Sequence, residues 1–282
     1  MDDLQKELEE FQLYLKKRGT ANNTIISYQS AVRQYYQRYP ELTVEHLLEY
    51  KQDLIRRYCP STINAKIYGM NKYLHYLSTL QEGIPPLLEK YRVPAVKRQQ
   101  KSFADHVISN QDYTRLKTRL KEEGNDFWYF VVRFLGSTGA RVSELVQIKA
   151  EHLRLGYMDL YSKGGKIRRI YFPDTLCEEC LLWLAKREIT SGFLFLNRRG
   201  KKISPRGINS QLKKFALRYG IDPATVSPHS FRHLYAKNFL LKFNDISLLA
   251  DLLGHESIET TKIYLTKTSS EQKALIDEII LW

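Results

Sequence analysis

Cysteine is scarce in this chain of 282 residues, with only Cys59, Cys177 and Cys180. An odd, low count offers no disulfide framework, which argues against a small cross-linked secreted scaffold. Cys177 and Cys180 form a C-E-E-C unit within an apolar stretch, but no second ligand pair sits at a spacing that suits zinc. The two read as ordinary helix cysteines. Long apolar runs are missing as well, so no segment is expected to span a bilayer. The first residues, Met1-Asp2-Asp3-Leu4, are acidic and lack the charged-then-apolar plan of a signal peptide. A soluble, cytoplasmic protein without a membrane partner is expected. Clustered carboxylates of the kind that hold catalytic magnesium are not visible, so neither a metal nor another cofactor is expected. Internal repeats and low-complexity tracts are also absent.

What is abundant is positive charge. Lys and Arg total 44 against 31 Asp and Glu, a formal net charge of 44 − 31 = +13, and the pI is near 9.5. Hydrophobic residues make up 43% of the chain, enough for a proper core. A folded, strongly basic protein of this length points to a polyanionic partner. Nucleic acid comes first and an anionic membrane surface second.

Periodicity divides the chain. Leu4, Leu8, Phe11 and Leu15 fall on one helical stripe, with Gly19 as a stop. Asn22 or Asn23 can cap a second helix carrying Ile25, Tyr28, Val32 and Tyr35. A third is expected from Val44 to Tyr58, and Ile63, Ile67, Met70, Leu74 and Leu77 mark a fourth. These make a small all-helical domain, 1–83. Residues 84–102 hold Pro85, Pro86 and Pro94, then the basic run Lys97-Arg98-Gln99-Gln100-Lys101. Proline and like charge suit an extended linker whose basic half, Lys97, Arg98 and Lys101, could lie along phosphates. The second domain, 103–282, opens with a helix that Asn110 can cap, followed by an apolar helix over 127–137. Two strand-like runs, 158–162 and 167–172, flank Lys163-Gly164-Gly165-Lys166, a tight-hairpin signal because both turn positions need positive φ. A short apolar run over 193–196 precedes an Asn197-Arg198-Arg199-Gly200 turn. The fold class expected is mainly α with a small antiparallel β-sheet.

Separate segments each offer a group suited to phosphate chemistry. Arg141 follows a Gly-Ala pair at a helix boundary, and Lys163 sits at the edge of the hairpin. His229 and Arg232 lie in Pro228-His229-Ser230-Phe231-Arg232-His233, His255 follows Gly254, and Tyr264 comes shortly after. Two arginines can clamp a phosphodiester by bidentate hydrogen bonds. A lysine or histidine can protonate a leaving alkoxide, and a tyrosine hydroxyl can form a covalent intermediate. No step needs a metal. Each residue alone is weak: the chain has 19 tyrosines, and a lone histidine is more often structural than catalytic.

The combination is more specific. T-G-A-R-V-S-E-L at 138–145, S-P-H-S-F-R-H at 227–233 and L-L-G-H-E-S-I-E-T-T-K-I-Y at 252–264 resemble the signature segments of the tyrosine recombinase (phage integrase) family, in that family's order. The K-G-G-K hairpin is similar to its β-hairpin lysine segment. The resemblance extends over most of the chain, the first domain matching the family's core-binding domain and the second its catalytic domain. It implies that Arg141 and Arg232 hold the scissile phosphate. Lys163 is implied as general acid, with Lys166 a possible stand-in. His229 would assist proton transfer at the tyrosine, His255 would hydrogen-bond the phosphate, and Tyr264 would be the nucleophile. Glu144 matches an acidic position that supports the site from behind. Gly254 should end one helix and Ser257 cap the next, because on a single continuous helix His255 and Tyr264 would face apart.

By the same resemblance the two domains would close as a clamp around a double-stranded recombination site. Cleavage would pass through a 3′-phosphotyrosyl link without ATP. Four copies would assemble on two sites, each docking the amphipathic segment 271–282 into a neighbour. A mobile-element integrase or resolvase is expected, with an Xer-like chromosome-dimer resolvase as the alternative. A type IB topoisomerase and a non-catalytic DNA-binding regulator are more distant. The protein would be nucleoid-associated when bound to DNA.

Overall fold

Apolar residues at three- and four-residue spacing build the first four helices: α1 (Asp2–Lys17), α2 (Asn22–Tyr36), α3 (Val44–Arg57) and α4 (Pro60–Leu77). The computed structural model describes residues 2–80, 91–97, 107–161, 167–255, 257–265 and 276–277. Leu8, Phe11 and Leu15 of α1 are buried against Val32 and Tyr35 of α2, Leu47 and Leu54 of α3, and Ile67, Met70 and Leu74 of α4. Each such leucine contributes about 1.5–3 kcal/mol when withdrawn from water. Thr43 caps α3 by accepting the His46 amide. For α2 the cap position is Ala21, with no side-chain bond, and both Asn22 and Asn23 lie inside the helix. Asn at the first helical positions therefore does not act as the cap expected of it.

The chain divides into two compact units, Met1–Gln100 and Lys101–Trp282. Of the expected linker, 84–102, residues 91–97 are described, and they are part of the first unit. Asn71 exchanges two hydrogen bonds with the backbone of Val93, and Asn64 does the same with Val96. Val93 is buried in the core of that unit. Two asparagines two turns apart on α4 thus pair with an extended segment much as a neighbouring strand would.

The second unit is built around α6 (Asp126–Thr138), whose Tyr129, Phe130, Val131, Val132, Phe134 and Leu135 are all buried. A helix apolar on every side has to be covered on every side. Around it pack α5 (Asn110–Glu122), α9 (Asp174–Ala185) and α11 (Pro228–Phe243). Ser109, one residue before the expected Asn110, caps α5. The short α7 (Val142–Leu145) and α8 (Ala150–Leu155) lead into β1 (Tyr157–Tyr161), which pairs antiparallel with β2 (Ile167–Tyr171) in a two-stranded sheet. The run 193–196 forms only isolated bridges, Lys149 with Phe193 and Leu196 with Lys202. Then come α10 (Pro205–Arg218), α11, α12 (Ile246–Leu253), α13 (Ile258–Thr261) and a 3₁₀ turn, Lys262–Leu265. A second apolar cluster, Ala236, Leu240, Leu249, Leu253 and Tyr264, ties α11, α12 and that turn together. Among the described residues no helix is long and apolar enough to cross a membrane.

Candidate active site

The C-terminus of α12 organises the site. A helix ends with carbonyls that have no partner within it and that carry partial negative charge. Here three successive carbonyls each receive a different arginine. Arg168 Nε donates to Leu252 O at 3.1 Å, Arg232 Nη2 to Leu253 O at 2.7 Å, and Arg141 Nη2 to Gly254 O at 3.3 Å. The helix stops because Gly254 takes a left-handed conformation, φ 63°. This turns the chain so that His255 approaches Arg232, with Nε2 2.9 Å from Arg232 Nη2.

The arginines differ in exposure. Arg232 is 3% exposed, and its Nη1 donates to Gly139 O at 2.7 Å. Arg141 retains 44% side-chain exposure. Glu144 joins the cluster from α7. Its Oε2 accepts the Arg141 backbone N–H at 2.7 Å, and its Oε1 accepts both Arg141 Nη1 at 2.8 Å and Arg168 Nη1 at 2.6 Å. Burial alone would raise the Glu144 carboxyl. The Arg168 charge and the hydrogen bonds from Arg141 outweigh it and hold the carboxyl below its ordinary range.

Around the tyrosine lie three histidines. Tyr264 is 4% exposed on the 3₁₀ turn, and its hydroxyl lies beside the Arg232 guanidinium. The His255 ring stacks over the Tyr264 ring at 6.0 Å, and His233 meets it edge-on at 4.7 Å. His229, at the surface end of α11, shares a hydrogen bond with His233, Nε2 to Nε2 at 2.9 Å. Thr261, fully buried, pairs with Nδ1 of His255 at 2.8 Å. Burial, followed by the charges of Arg232, Arg141 and Arg168, pushes His255 down to about 4. Burial with His229, Arg232 and Lys237 brings His233 to about 4 as well. His229 is lowered by desolvation and then by Arg232. Neutral imidazoles at physiological pH can accept a proton.

The structure therefore brings Arg141, Glu144, His229, Arg232, His255 and Tyr264 into one connected network. Ser257 caps α13 by accepting the Glu259 amide. The approach to Tyr264 is one short α-helix followed by the 3₁₀ turn. Lys163, Lys166, Arg98 and Lys101 lie outside the described residues. Lys97 is described, in the first unit, and is exposed. Of the segment 271–282 only Ile276 and Asp277 are described, both exposed. Sequence reading did not single out Arg168, His233 or Thr261. His233 carried a signal, since residues four apart on a helix share a face with each other, and His229 is its partner.

A cleft of about 670 Å³ lies beside the network, with Arg141, Glu144, Arg168, Gly254 and His255 among its walls. It has room for a phosphate and the sugars on either side. Among the described residues no group of three or more His, Cys, Asp or Glu could hold a metal ion. The arrangement suits anion chemistry: guanidiniums fixed by backbone, one of them reaching solvent, with a phenol and neutral imidazoles alongside.

Comparison with known proteins gives one consistent result. Residues 106–271 match the phage integrase family. The chain is 30% identical to tyrosine recombinase XerA of Pyrococcus furiosus, over 96% of this chain and 92% of that protein. The fold is similar to that of the XerH site-specific recombinase bound to its difH substrate, with a TM-score of 0.70 at 17% identity, covering 96% of this chain and 84% of that one. It also resembles the Tn1549 transposon integrase bound to transposon right-end DNA, with a TM-score of 0.67 at 15% identity, covering 97% of this chain and 99% of that one.

Proposed function

Because the chain belongs to the phage integrase family and is a tyrosine-type site-specific DNA recombinase, we propose that Tyr264 cuts and rejoins duplex DNA with the residues gathered at the end of α12. The phenol oxygen attacks the scissile phosphorus, the bond from phosphorus to the 5′ oxygen breaks, and a 3′-phosphotyrosyl ester forms. Arg141, Arg232 and His255 hold the non-bridging oxygens and oppose the charge that builds on them. The phenol proton passes toward His229. Lys163 protonates the departing 5′ oxygen. The free 5′ hydroxyl of a partner duplex then attacks the ester and restores the tyrosine. One phosphoester replaces another at each stage, so no external energy source enters.

The observation that carries this reading is the trio of arginines on consecutive carbonyls, set beside the Tyr264 hydroxyl. The net charge of +13 supplies affinity for the backbone, and that affinity should fall steeply with salt. Both units contact the duplex. Lys97, Arg98, Lys101 and Lys166 lie along phosphates, and four copies engage two sites through the segment 271–282.

The role proposed in the cell is recombination of a mobile element. The Xer-like reading stands second, favoured by 30% identity to a XerA recombinase over nearly the whole chain. Sequencing DNA recovered with the protein separates them. Ends of an element support the first, and a single chromosomal site supports the second.

The chemistry is tested on nicked suicide duplexes carrying the recovered site. The native protein should give an SDS-stable adduct, and Tyr264→Phe should bind the same DNA without forming one. An adduct from Tyr264→Phe would remove Tyr264 as nucleophile.

A further inference from the structure

Three segments of the second unit meet on one side chain. Arg168 follows the first residue of β2. Its Nη1 reaches Glu144 on α7 at 2.6 Å, and its Nε reaches Leu252 O at the end of α12 at 3.1 Å. The stem runs past Gly254 so closely that a Cβ there would lie 2.1 Å from Arg168 Cδ. Its side chain is only 11% exposed. Nη2 is buried and, among the described residues, has no hydrogen-bond partner. A protein interior seldom leaves a guanidinium nitrogen dry, so this placement calls for a reason.

Two of the three guanidinium nitrogens of Arg168 are taken by protein, Nε by Leu252 O and Nη1 by Glu144. Arg141, four times as exposed at 44% against 11%, is the arginine that faces outward. The two are linked through one atom, Glu144 Oε1, which accepts from both. A carboxylate oxygen between two guanidiniums has its position fixed from both sides. Without Arg168, a buried Glu144 would have Arg141 as its sole cation among the described residues, and the attraction would draw that guanidinium inward, away from solvent. With Arg168 in place, the carboxylate is neutralised from behind and Arg141 is held but not captured.

We propose that Arg168 is a positioning residue for strand cleavage. It anchors Glu144 against the end of α12, and so presents the Arg141 guanidinium to the scissile phosphate already oriented. The proposal rests on the recombinase reading above. It assigns to β2 a part in the site that is separate from the hairpin lysines.

Charge at the phosphate provides the test. A methylphosphonate at the scissile position lacks the charge on one non-bridging oxygen and asks less of Arg141. Arg168→Met and Arg168→Lys are compared with native protein on suicide duplexes carrying either the phosphate or the methylphosphonate. Lysine keeps the charge but cannot make two directed bonds from a planar fork. It also serves if the methionine variant fails to fold. Both variants should bind DNA as the native protein does. Adduct formation on the phosphate should fall roughly 10- to 100-fold, the range usual for residues that orient a catalytic group. On the methylphosphonate the deficit should shrink severalfold. An equal deficit on both substrates, or none on either, overturns the positioning role while the recombinase reading stands. Failure of the native protein to give a Tyr264-dependent adduct removes that reading, and this one with it.

Discussion

Among the glycines that end helices of the second unit in the left-handed conformation, Gly156 and Gly254 differ in one respect. Gly156, φ 76°, follows α8, and among the described residues nothing comes within 4 Å of where a Cβ would be. Gly254, φ 63°, follows α12 and would place a Cβ 2.1 Å from Arg168 Cδ and 2.7 Å from its Nε. Alanine in either place bears the left-handed strain of about 1–2 kcal/mol. At Gly254 the Arg168 stem must also retreat by roughly 1.5 Å to regain ordinary carbon–carbon contact. That retreat breaks the 3.1 Å bond to Leu252 O or the 2.6 Å bond to Glu144. One hydrogen bond to a charged group adds about 1.5–3 kcal/mol. The expected destabilisation is therefore about 1–2 kcal/mol for Gly156→Ala and about 3–5 kcal/mol for Gly254→Ala. In thermal unfolding of the full chain this corresponds to roughly 2–8 °C against roughly 6–20 °C for the transition of the second unit. Adduct formation should drop with Gly254→Ala and stay near native with Gly156→Ala. Equal shifts in midpoint, together with equal adduct rates, would refute the crowding argument.

Lys163→Ala should slow cleavage of ordinary DNA by roughly 100- to 10,000-fold, the usual contribution of a general acid. A 5′-bridging sulfur, which leaves without a proton, should restore it, and Lys166→Ala is the matched control. Failure of the sulfur substrate to rescue would discard Lys163 as the acid. Deletion of 271–282 should leave binding to one site intact and weaken cooperative filling of paired sites. Unchanged cooperativity with full recombination in gel-shift titrations and product assays would show that the segment does not join protomers. His233 and His255, at about 4 in the folded protein, lie below the unfolded value of about 6.5. The unfolded chain therefore binds more protons between those values. Their contribution to stability is complete above about 6.5 and declines as pH falls toward 4. The unfolding midpoint should drop between pH 7 and pH 5, less so in His233→Asn. A midpoint that stays flat would contradict it.

Sequence patterns located the helices of the first unit because amphipathic spacing is a strong, local signal. Leu8, Phe11 and Leu15 point inward as their spacing requires. Caps were less legible. Asn110 and Ser109 stand side by side, and either could have taken the role. The residues at the end of α12 could be named from motifs, but not what joins them, because the acceptors are backbone carbonyls. Arg168 is the instructive omission. Period-two alternation puts it on the same face as the buried Ile170, whereas Arg169 takes the outer face and pairs with Asp159 across the sheet. The parity was readable, yet two adjacent arginines in a chain with 44 basic residues suggest two solvated charges. The pairing of Asn64 and Asn71 with 91–97 was not readable, since nothing local distinguishes those asparagines from surface polar residues.

The arginines grip peptide carbonyls, and this affects how the site tolerates mutation. Replacing the side chain of Leu252 or Leu253 deletes no acceptor, so those positions are free to drift as far as packing allows. A change in length is different. One residue inserted into or removed from 246–254 would rotate the end of the helix by about 100° and misalign Arg168, Arg232 and Arg141 together. Substitutions should therefore accumulate along α12 among active relatives, while insertions and deletions there should mark copies that no longer recombine.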